Sequence, residues 1–427
     1  MTTASFAHSS RLLARRLDEL GRVTDESGKL TRTFLSPAMR QANALVGKWM
    51  HAAGLAVRED AVGNLIGRSE GPGPGGATLL LGSHLDTVRD AGRFDGALGV
   101  LLPIVAIEEL RRRNVKLPFA VEVLGFSEEE GVRFSGGYIG SKGYAGKLRA
   151  ADLALRDAEG VTVREALAEV IKVDAASPPR FVRGTRRGRG VYFKNPLIGY
   201  VEVHIEQGPV LEAENLAVGV VSAIAGQTRG RLTFRGKAGH AGTTPMKLRR
   251  DALAGAAELV LFAEALARGH PPLVATVGSL SVAPGAPNVI PGEVVLSLDV
   301  RHPRDAARRA ALRRVLARAR LVARRRKLSV AWQLTQDDGA VACSARLGGL
   351  LGRSVRAVQG RSLDLASGAG HDAIVMASLA PVAMLFVRCR DGLSHHPAEF
   401  ASRADLEVAL RVIVDFLERL AADVSRT

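Results

Sequence analysis

Thr78-Leu79-Leu80-Leu81-Gly82-Ser83-His84-Leu85-Asp86-Thr87-Val88-Arg89-Asp90-Ala91-Gly92-Arg93-Phe94-Asp95 decides how this chain is read. An apolar run leads straight into His84, Asp86 and then Asp95. The pattern predicts a buried strand that ends in a loop carrying one imidazole and two carboxylates. A metal site needs such a set: a nitrogen donor, an anionic oxygen donor and a second carboxylate to hold the imidazole. A polar loop whose aspartates cap a helix has the same composition, and this stretch alone leaves both open.

The flanking sequence repeats the pattern. Gly96 to Arg113 reads as a helix with an apolar face. Phe119 to Phe126 reads as a second buried strand, ending at Ser127-Glu128-Glu129-Glu130-Gly131, and Tyr200 to Ile205 as a third, carrying His204. Strand, chemistry at its carboxyl end, helix and strand again predict an α/β fold, an open mixed sheet with helices on both faces. Residues 9 to 54 read as helical, with a break at Leu35-Ser36-Pro37 where Ser36 caps and Pro37 opens the second helix. Gly71 to Gly76 is a tight connection. The middle differs. Val218 to Gly236, Leu273 to Val282 and Val289 to Val300 are strand-like, while Pro245 to Ala267 and Pro303 to Arg326 are helical. This order predicts an inserted α+β, ferredoxin-like domain over 215–330, with a catalytic domain from 1–214 and 331–427.

The chain has 427 residues, enough for two domains. Its 59 Lys and Arg outnumber 43 Asp and Glu, for a net charge of +16. The excess sits in two runs, Arg180 to Arg189 and Arg308 to Lys327. Neither is interleaved with aromatics, so nucleic acid is not expected. In the second run Leu312, Val315, Leu316, Ala319 and Val322 recur at helical spacing, predicting an amphipathic helix with a solvated arginine face. Two distant cysteines give no disulfide framework. The amino terminus lacks a signal-peptide layout, and the longest apolar run, Val100 to Ile107, is too short to span a bilayer. A cytoplasmic enzyme with no membrane partner is expected.

Glu128, Glu129 and Glu130 are costly to gather at a strand end, because like charges raise one another's pKa values. A bound dication removes that cost; an acidic turn at a helix start is the other reading. His204-Ile205-Glu206-Gln207-Gly208-Pro209 and Gly392-Leu393-Ser394-His395-His396-Pro397-Ala398-Glu399 add imidazoles beside acids, in a chain with only 10 histidines. With these motifs in this order, the chain resembles the amidase, hydantoinase and carbamoylase family of dinuclear-metal amidohydrolases. That family includes allantoate amidohydrolases, N-carbamoyl-L-amino acid hydrolases and zinc-dependent β-ureidopropionases. Further landmarks are Asp60-Ala61-Val62-Gly63-Asn64-Leu65, Gly239-His240-Ala241-Gly242-Thr243-Thr244-Pro245, Asn288-Val289-Ile290-Pro291-Gly292 and Ser367-Gly368-Ala369-Gly370-His371-Asp372.

The resemblance implies two divalent ions, zinc first, with manganese, cobalt or nickel as alternatives. It implies that His84 and His204 each bind one ion, that Asp95 bridges them, and that Glu130 and His395 complete the second. It makes Asp86 the orienter of His84 and Glu129 the general base and later acid. It makes the insert a lid and dimerisation domain whose His240 stabilises the oxyanion. Arg301 would hold a substrate carboxylate, and Gln207, Asn288 and His371 its polar groups. The implied reaction is hydrolysis of the linear C–N bond of an N-carbamoyl or ureido acid, releasing ammonia and carbon dioxide, by a homodimer. The other readings are an aminopeptidase or deacylase of the same clan, and a non-catalytic basic binding protein on a hydrolase scaffold. Two positions depart from the family pattern: Arg388-Cys389 stands where Pro-Ser is common, near enough to His395 to alter the pocket rim, and Ala91 where glycine is usual.

Overall fold

The computed structural model describes residues 3–72, 76–173 and 195–426. The chain divides into two compact units: 1–222 with 343–365 and 371–427, and 223–342 with 366–370. The expected insert, 215–330, ends inside the Ser329–Asp338 strand. That strand pairs along the Gly226–Arg235 strand and so belongs to the second unit.

The first unit is built on one mixed sheet. Its strands run Ala56–Glu59, Leu65–Ser69, Ala120–Phe126, Thr78–His84, Leu197–Ile205, Val382–Val387 and Val218–Ile224, the chain leaving the unit within the last of these. The four central strands are mutually parallel, so their carboxyl ends lie along one edge. Alternate residues of these strands face opposite sides. Leu79, Leu81, Val121, Val123, Val201, Val203, Ala383 and Leu385 join a core with the long helices Thr3–Leu20, Pro37–Ala52, Ala97–Arg112, Ala345–Gln359 and Arg403–Val424. Glu122, Phe126 and Glu202 face the other way. There Tyr144 and Ala373, from two short helices, bond Glu122 and Glu202. Helices therefore cover both faces of an α/β sheet. Ser36 caps its helix as expected, its Oγ accepting from Met39 N at 3.0 Å. No helix among the described residues is long and apolar enough to cross a membrane.

The second unit has the element order β-α-β-β-α-β of a split βαβ fold, with an antiparallel sheet and two helices packed together. The first helix begins at Ala252 rather than Pro245: Met246–Leu248 is a 3₁₀ turn, and Asp251 caps the helix by accepting from Leu253 N and Ala254 N. The expected 273–282 strand is interrupted, because Ser297 Oγ takes the N–H groups of Gly278 and Ser279. Val289–Ile290 and Glu293–His302 are likewise separate strands, divided at Pro291-Gly292.

The basic helix, Asp305–Arg326, buries Ala311, Val315, Ala319 and Val322 as its spacing predicts. Arg308, however, is not solvated. Its guanidinium is fully buried between Asp305, Asp337 and Thr228, pinning the helix to the Gly226–Arg235 and Ser329–Asp338 strands. The Arg180 to Arg189 run lies outside the described residues. Replacing Arg308 with Met should remove about 1–2 kcal/mol of stability, since Asp305 and Asp337 lose a charged partner but are part-exposed and keep Ala340 N and Thr228 Oγ1 as partners. A lowered urea midpoint measures this, and an unchanged midpoint would contradict the pinning role.

Candidate metal centre

The parallel strand ends converge as the apolar runs predict. His84 closes the Thr78–His84 strand and is 2% exposed. Its Nδ1 faces the Asp86 carbonyl at 3.0 Å, which turns Nε2 toward Asp95 Oδ1 at 3.4 Å. His204, near the end of Leu197–Ile205, repeats the arrangement: Nδ1 lies 2.9 Å from Ile205 O, and Nε2 3.0 Å from the same Asp95 oxygen. The other Asp95 oxygen, Oδ2, lies 3.4 Å from His395 Nε2, which is also 3.4 Å from Glu130 Oε1. Among the described residues, donor atoms of His84, Asp95 and His204 lie within 4.8 Å of one another. So do those of Asp95, Glu130 and His395, and those of His84, Glu129 and Glu130. The structure thus brings together His84, Asp95, Glu129, Glu130, His204 and His395 around one shared carboxylate.

This donor set fits divalent cations. Two imidazoles have Nδ1 committed to a backbone carbonyl and Nε2 aimed at the shared carboxylate, the arrangement by which protein histidines ligate metals. The charges also call for a cation. Burial raises Glu129 well above the ordinary carboxylate range, with Glu130, Asp372 and Asp86 adding repulsion. Burial likewise pushes Glu130 up to about 8. Burial works against Asp95 too, but His204 and His84 outweigh it and hold Asp95 well below its usual value. Nitrogen and carboxylate donors suit zinc and do not exclude its neighbours.

Asp86 sits 3.4 Å from His84 Nδ1, as the orienter would. Its two oxygens also accept from Glu129 N at 3.0 Å and Glu130 N at 3.2 Å. One side chain therefore fixes both the imidazole and the backbone of the acidic loop. Gly96 closes the group from below. It has φ +64, and a Cβ there would fall 2.4 Å from the His84 ring. Gln207 has φ +56, and its amide donates to Asp95 Oδ2 at 2.9 Å and to Ser394 Oγ at 3.0 Å. His371 is buried with its ring centroid 4.6 Å from that of His204, and burial followed by the His204 charge keeps it neutral.

His240, Asn288 and Arg301 belong to the second unit. Val289 pairs with His240, and Ala241 N bonds Asn288 O, so His240 and Asn288 are neighbours there. His240 Nδ1 accepts from Gly242 N and Thr243 N. That fixes the tautomer with the proton on Nε2, leaving a donor of the kind an oxyanion needs. Arg301 is held in a fork by Asp299, with Nε–Oδ1 3.0 Å and Nη2–Oδ2 2.8 Å, and it also donates to Gly368 O. Arg388 is likewise committed: it pairs with Asp405, at 2.7 Å through Nη2, rather than standing free at a pocket rim. Ala91 is buried, its N–H on Leu30 O.

Several functional neighbours escape a reading of the sequence. Arg32 is fully buried, and burial brings its guanidinium down to about 10. Its Nε donates to Leu85 O at 2.6 Å, holding the strand end that carries His84. Glu202 accepts from Ser83 Oγ at 2.8 Å and from Ala373 N at 3.0 Å behind His204. An acid inside an apolar strand, two residues before a histidine, is the signal that could have found it. Ser394 and Glu399 stand in the 392–399 motif beside His395, but nothing in the sequence assigns them a role.

A mixed sheet whose parallel central strands gather histidines and carboxylates around one aspartate at their carboxyl ends defines a metal-dependent hydrolase. The chain belongs to the peptidase family M20/M25/M40, which residues 80–419 match, and it is a hydrolase of C–N bonds. It is 40% identical to N-carbamoyl-L-amino acid amidohydrolase of Geobacillus stearothermophilus, over 96% of this chain and 98% of that protein. It is 40% identical to allantoate deiminase 2 of Glycine max, over 95% of this chain and 88% of that protein. The crystal structure of an amidase of the hydantoinase/carbamoylase family from Burkholderia multivorans superposes with a TM-score of 0.87 at 32% identity. That match covers 96% of this chain and 97% of the other.

Gly96→Ala should displace the His84 ring and add backbone strain of about 1 kcal/mol. Zinc affinity, read by competition with a chelator, should fall about tenfold or more. Wild-type affinity would mean that His84 does not need its present position.

Proposed function

We propose that this enzyme hydrolyses the linear C–N bond of an N-carbamoyl or ureido acid, with two divalent ions, zinc first, held by His84, Asp95, His204, Glu130 and His395. The observation that carries the reading is the pair of histidine–carboxylate groups sharing Asp95, with the Glu129 carboxylate inside the same cluster. The names of the relatives support the ureido class, since one acts on N-carbamoyl-L-amino acids and another on allantoate.

When bound by these residues, two divalent ions would lower the pKa of water and polarise the carbonyl. Glu129, a carboxylate of the same cluster, takes the proton from the attacking water and returns it to the departing nitrogen. His240 supplies an Nε2–H to the oxygen that gains charge. Arg301 binds the substrate carboxylate, sharing its guanidinium with Asp299. Gln207, Asn288 and His371 bind polar groups, Gln207 while its amide steadies Asp95. The products are ammonia, carbon dioxide and the amine-bearing acid. The second unit acts as a lid and dimerisation domain, and the working form is a cytoplasmic homodimer without nucleic-acid or membrane partners.

Glu129→Gln should keep its metal, measured by elemental analysis, and lose kcat on the order of 10²–10⁴-fold. Retained turnover excludes Glu129 as the base. Arg301→Ala should mainly raise KM, and an unchanged KM rejects the carboxylate contact. A panel of allantoate, N-carbamoyl-L-amino acids, N-carbamoyl-β-alanine and glycyl dipeptides tests the substrate class. Faster cleavage of the dipeptides would overturn the ureido reading.

A further inference from the structure

Glu399 is 3% exposed and stands where two distant segments meet. Its Oε1 accepts from Phe94 N at 2.8 Å and from Asp95 N at 3.1 Å. Its Oε2 lies 3.3 Å from Ser394 Oγ, and that hydroxyl donates to Asp95 Oδ2 at 2.6 Å. The two segments lie 304 residues apart in sequence. One brings Asp95, and the other brings His395 in a left-handed conformation, φ +56. The first segment is a loop between a strand ending at His84 and a helix starting at Ala97, so no ladder of backbone bonds holds Asp95 in place. Two further observations show that the position is built. A Cβ at Gly92 would fall 2.3 Å from Glu399 Cβ, so the loop passes the carboxylate stem at a distance only glycine allows. Phe94 also packs edge-on against Phe400, with ring centroids 6.2 Å apart.

We propose that Glu399 is a positioning residue for the metal centre: its carboxylate locks the Phe94-Asp95 backbone to the Ser394-His395 loop, so that Asp95 and His395 present their donors together. The inference rests on the reading of Asp95 and His395 as metal ligands. Glu399 itself touches neither substrate nor metal. It acts on the backbone of one ligand and, through Ser394, on the carboxylate of the same ligand.

Geometry dictates the choice of variants. Alanine at 399 leaves Phe94 N and Asp95 N without their buried acceptor. Glutamine keeps Oε1 on both N–H groups and offers an N–H to Ser394 Oγ, whose own hydrogen stays on Asp95. Gly92→Ala keeps the carboxylate but pushes it out of place. The full-length chain and the three variants, stripped of metal, are titrated with zinc alone and with manganese alone against a chelator. Metal per chain is counted, and kcat and KM are measured with an N-carbamoyl amino acid.

Glu399→Ala and Gly92→Ala should bind metal about tenfold or more weakly and lose kcat about 10–100-fold, with KM changed by no more than about threefold. Glu399→Gln should stay within about threefold of wild type in both metal affinity and kcat. If the alanine variant does not fold, Gly92→Ala and Glu399→Gln carry the comparison. Wild-type metal affinity and kcat in Glu399→Ala overturn the positioning role alone, as does a Glu399→Gln variant as impaired as the alanine. A wild-type chain that binds neither metal overturns both this inference and the metal centre beneath it.

Discussion

A buried carboxylate shared by three imidazoles, Asp95, is the constraint on which the edge of the first unit's sheet depends. It is 5% exposed, yet it stays ionised because His204 and His84 point Nε2 at one of its oxygens. Around it lie Asp86, Glu128, Glu129, Glu130, Glu202 and Asp372, and burial raises most of these carboxyls. So many acids in one buried place repel each other unless cations join them. The negative charge is therefore both the recognition element for divalent ions and a load on the fold that those ions relieve.

The sheet makes this concentration possible. Parallel neighbours put the ends of Thr78–His84, Ala120–Phe126, Leu197–Ile205 and Val382–Val387 on one edge. Each strand then releases a chemical segment: His84 to Asp95, Glu128 to Glu130, His204 to Gln207, and Arg388 to Glu399. Strands buried on both faces leave little room for error in register, because a one-residue slip would send His84 or His204 to the opposite face. Apolar packing on one side thus fixes the reach of each imidazole on the other.

Much of this is legible from residue order. Apolar runs broken by His and Asp mark strand ends, and acids gathered where no salt partner is near mark a place for a cation. The elements that escape are those set by contacts distant in sequence. Ser329–Asp338 joins the second unit only because it pairs with Gly226–Arg235. Arg308 reads as one more solvated arginine until Asp337 and Thr228 are brought to it. The break at 277–279 depends on a serine hydroxyl from a neighbouring strand. Periodicity reports which face of an element is apolar, and it is silent about which polar groups from elsewhere will meet that element.

The same silence covers the devices that align the centre, and these follow one physical pattern. Asp86 takes the N–H groups of Glu129 and Glu130, Glu399 those of Phe94 and Asp95, and Glu206 those of Val210 and Leu211 just beyond Gln207. In each case a carboxylate accepts from two successive backbone donors, in a loop that carries a donor of the centre or, for Val210 and Leu211, in the first turn of the short helix that follows His204. Two bonds to adjacent amides restrain both the position and the direction of the chain, which a single bond cannot do. Charge-assisted bonds of this kind are about twice as strong as neutral ones, so irregular loops gain some of the rigidity that strands have from their ladders. Because the partner is backbone, the residue at the clamped position is free to be whatever the chemistry requires. An acidic protein interior can thus spend part of its acidity on holding its own loops still, while Asp95, Glu129 and Glu130 keep oxygens close to the clustered imidazoles.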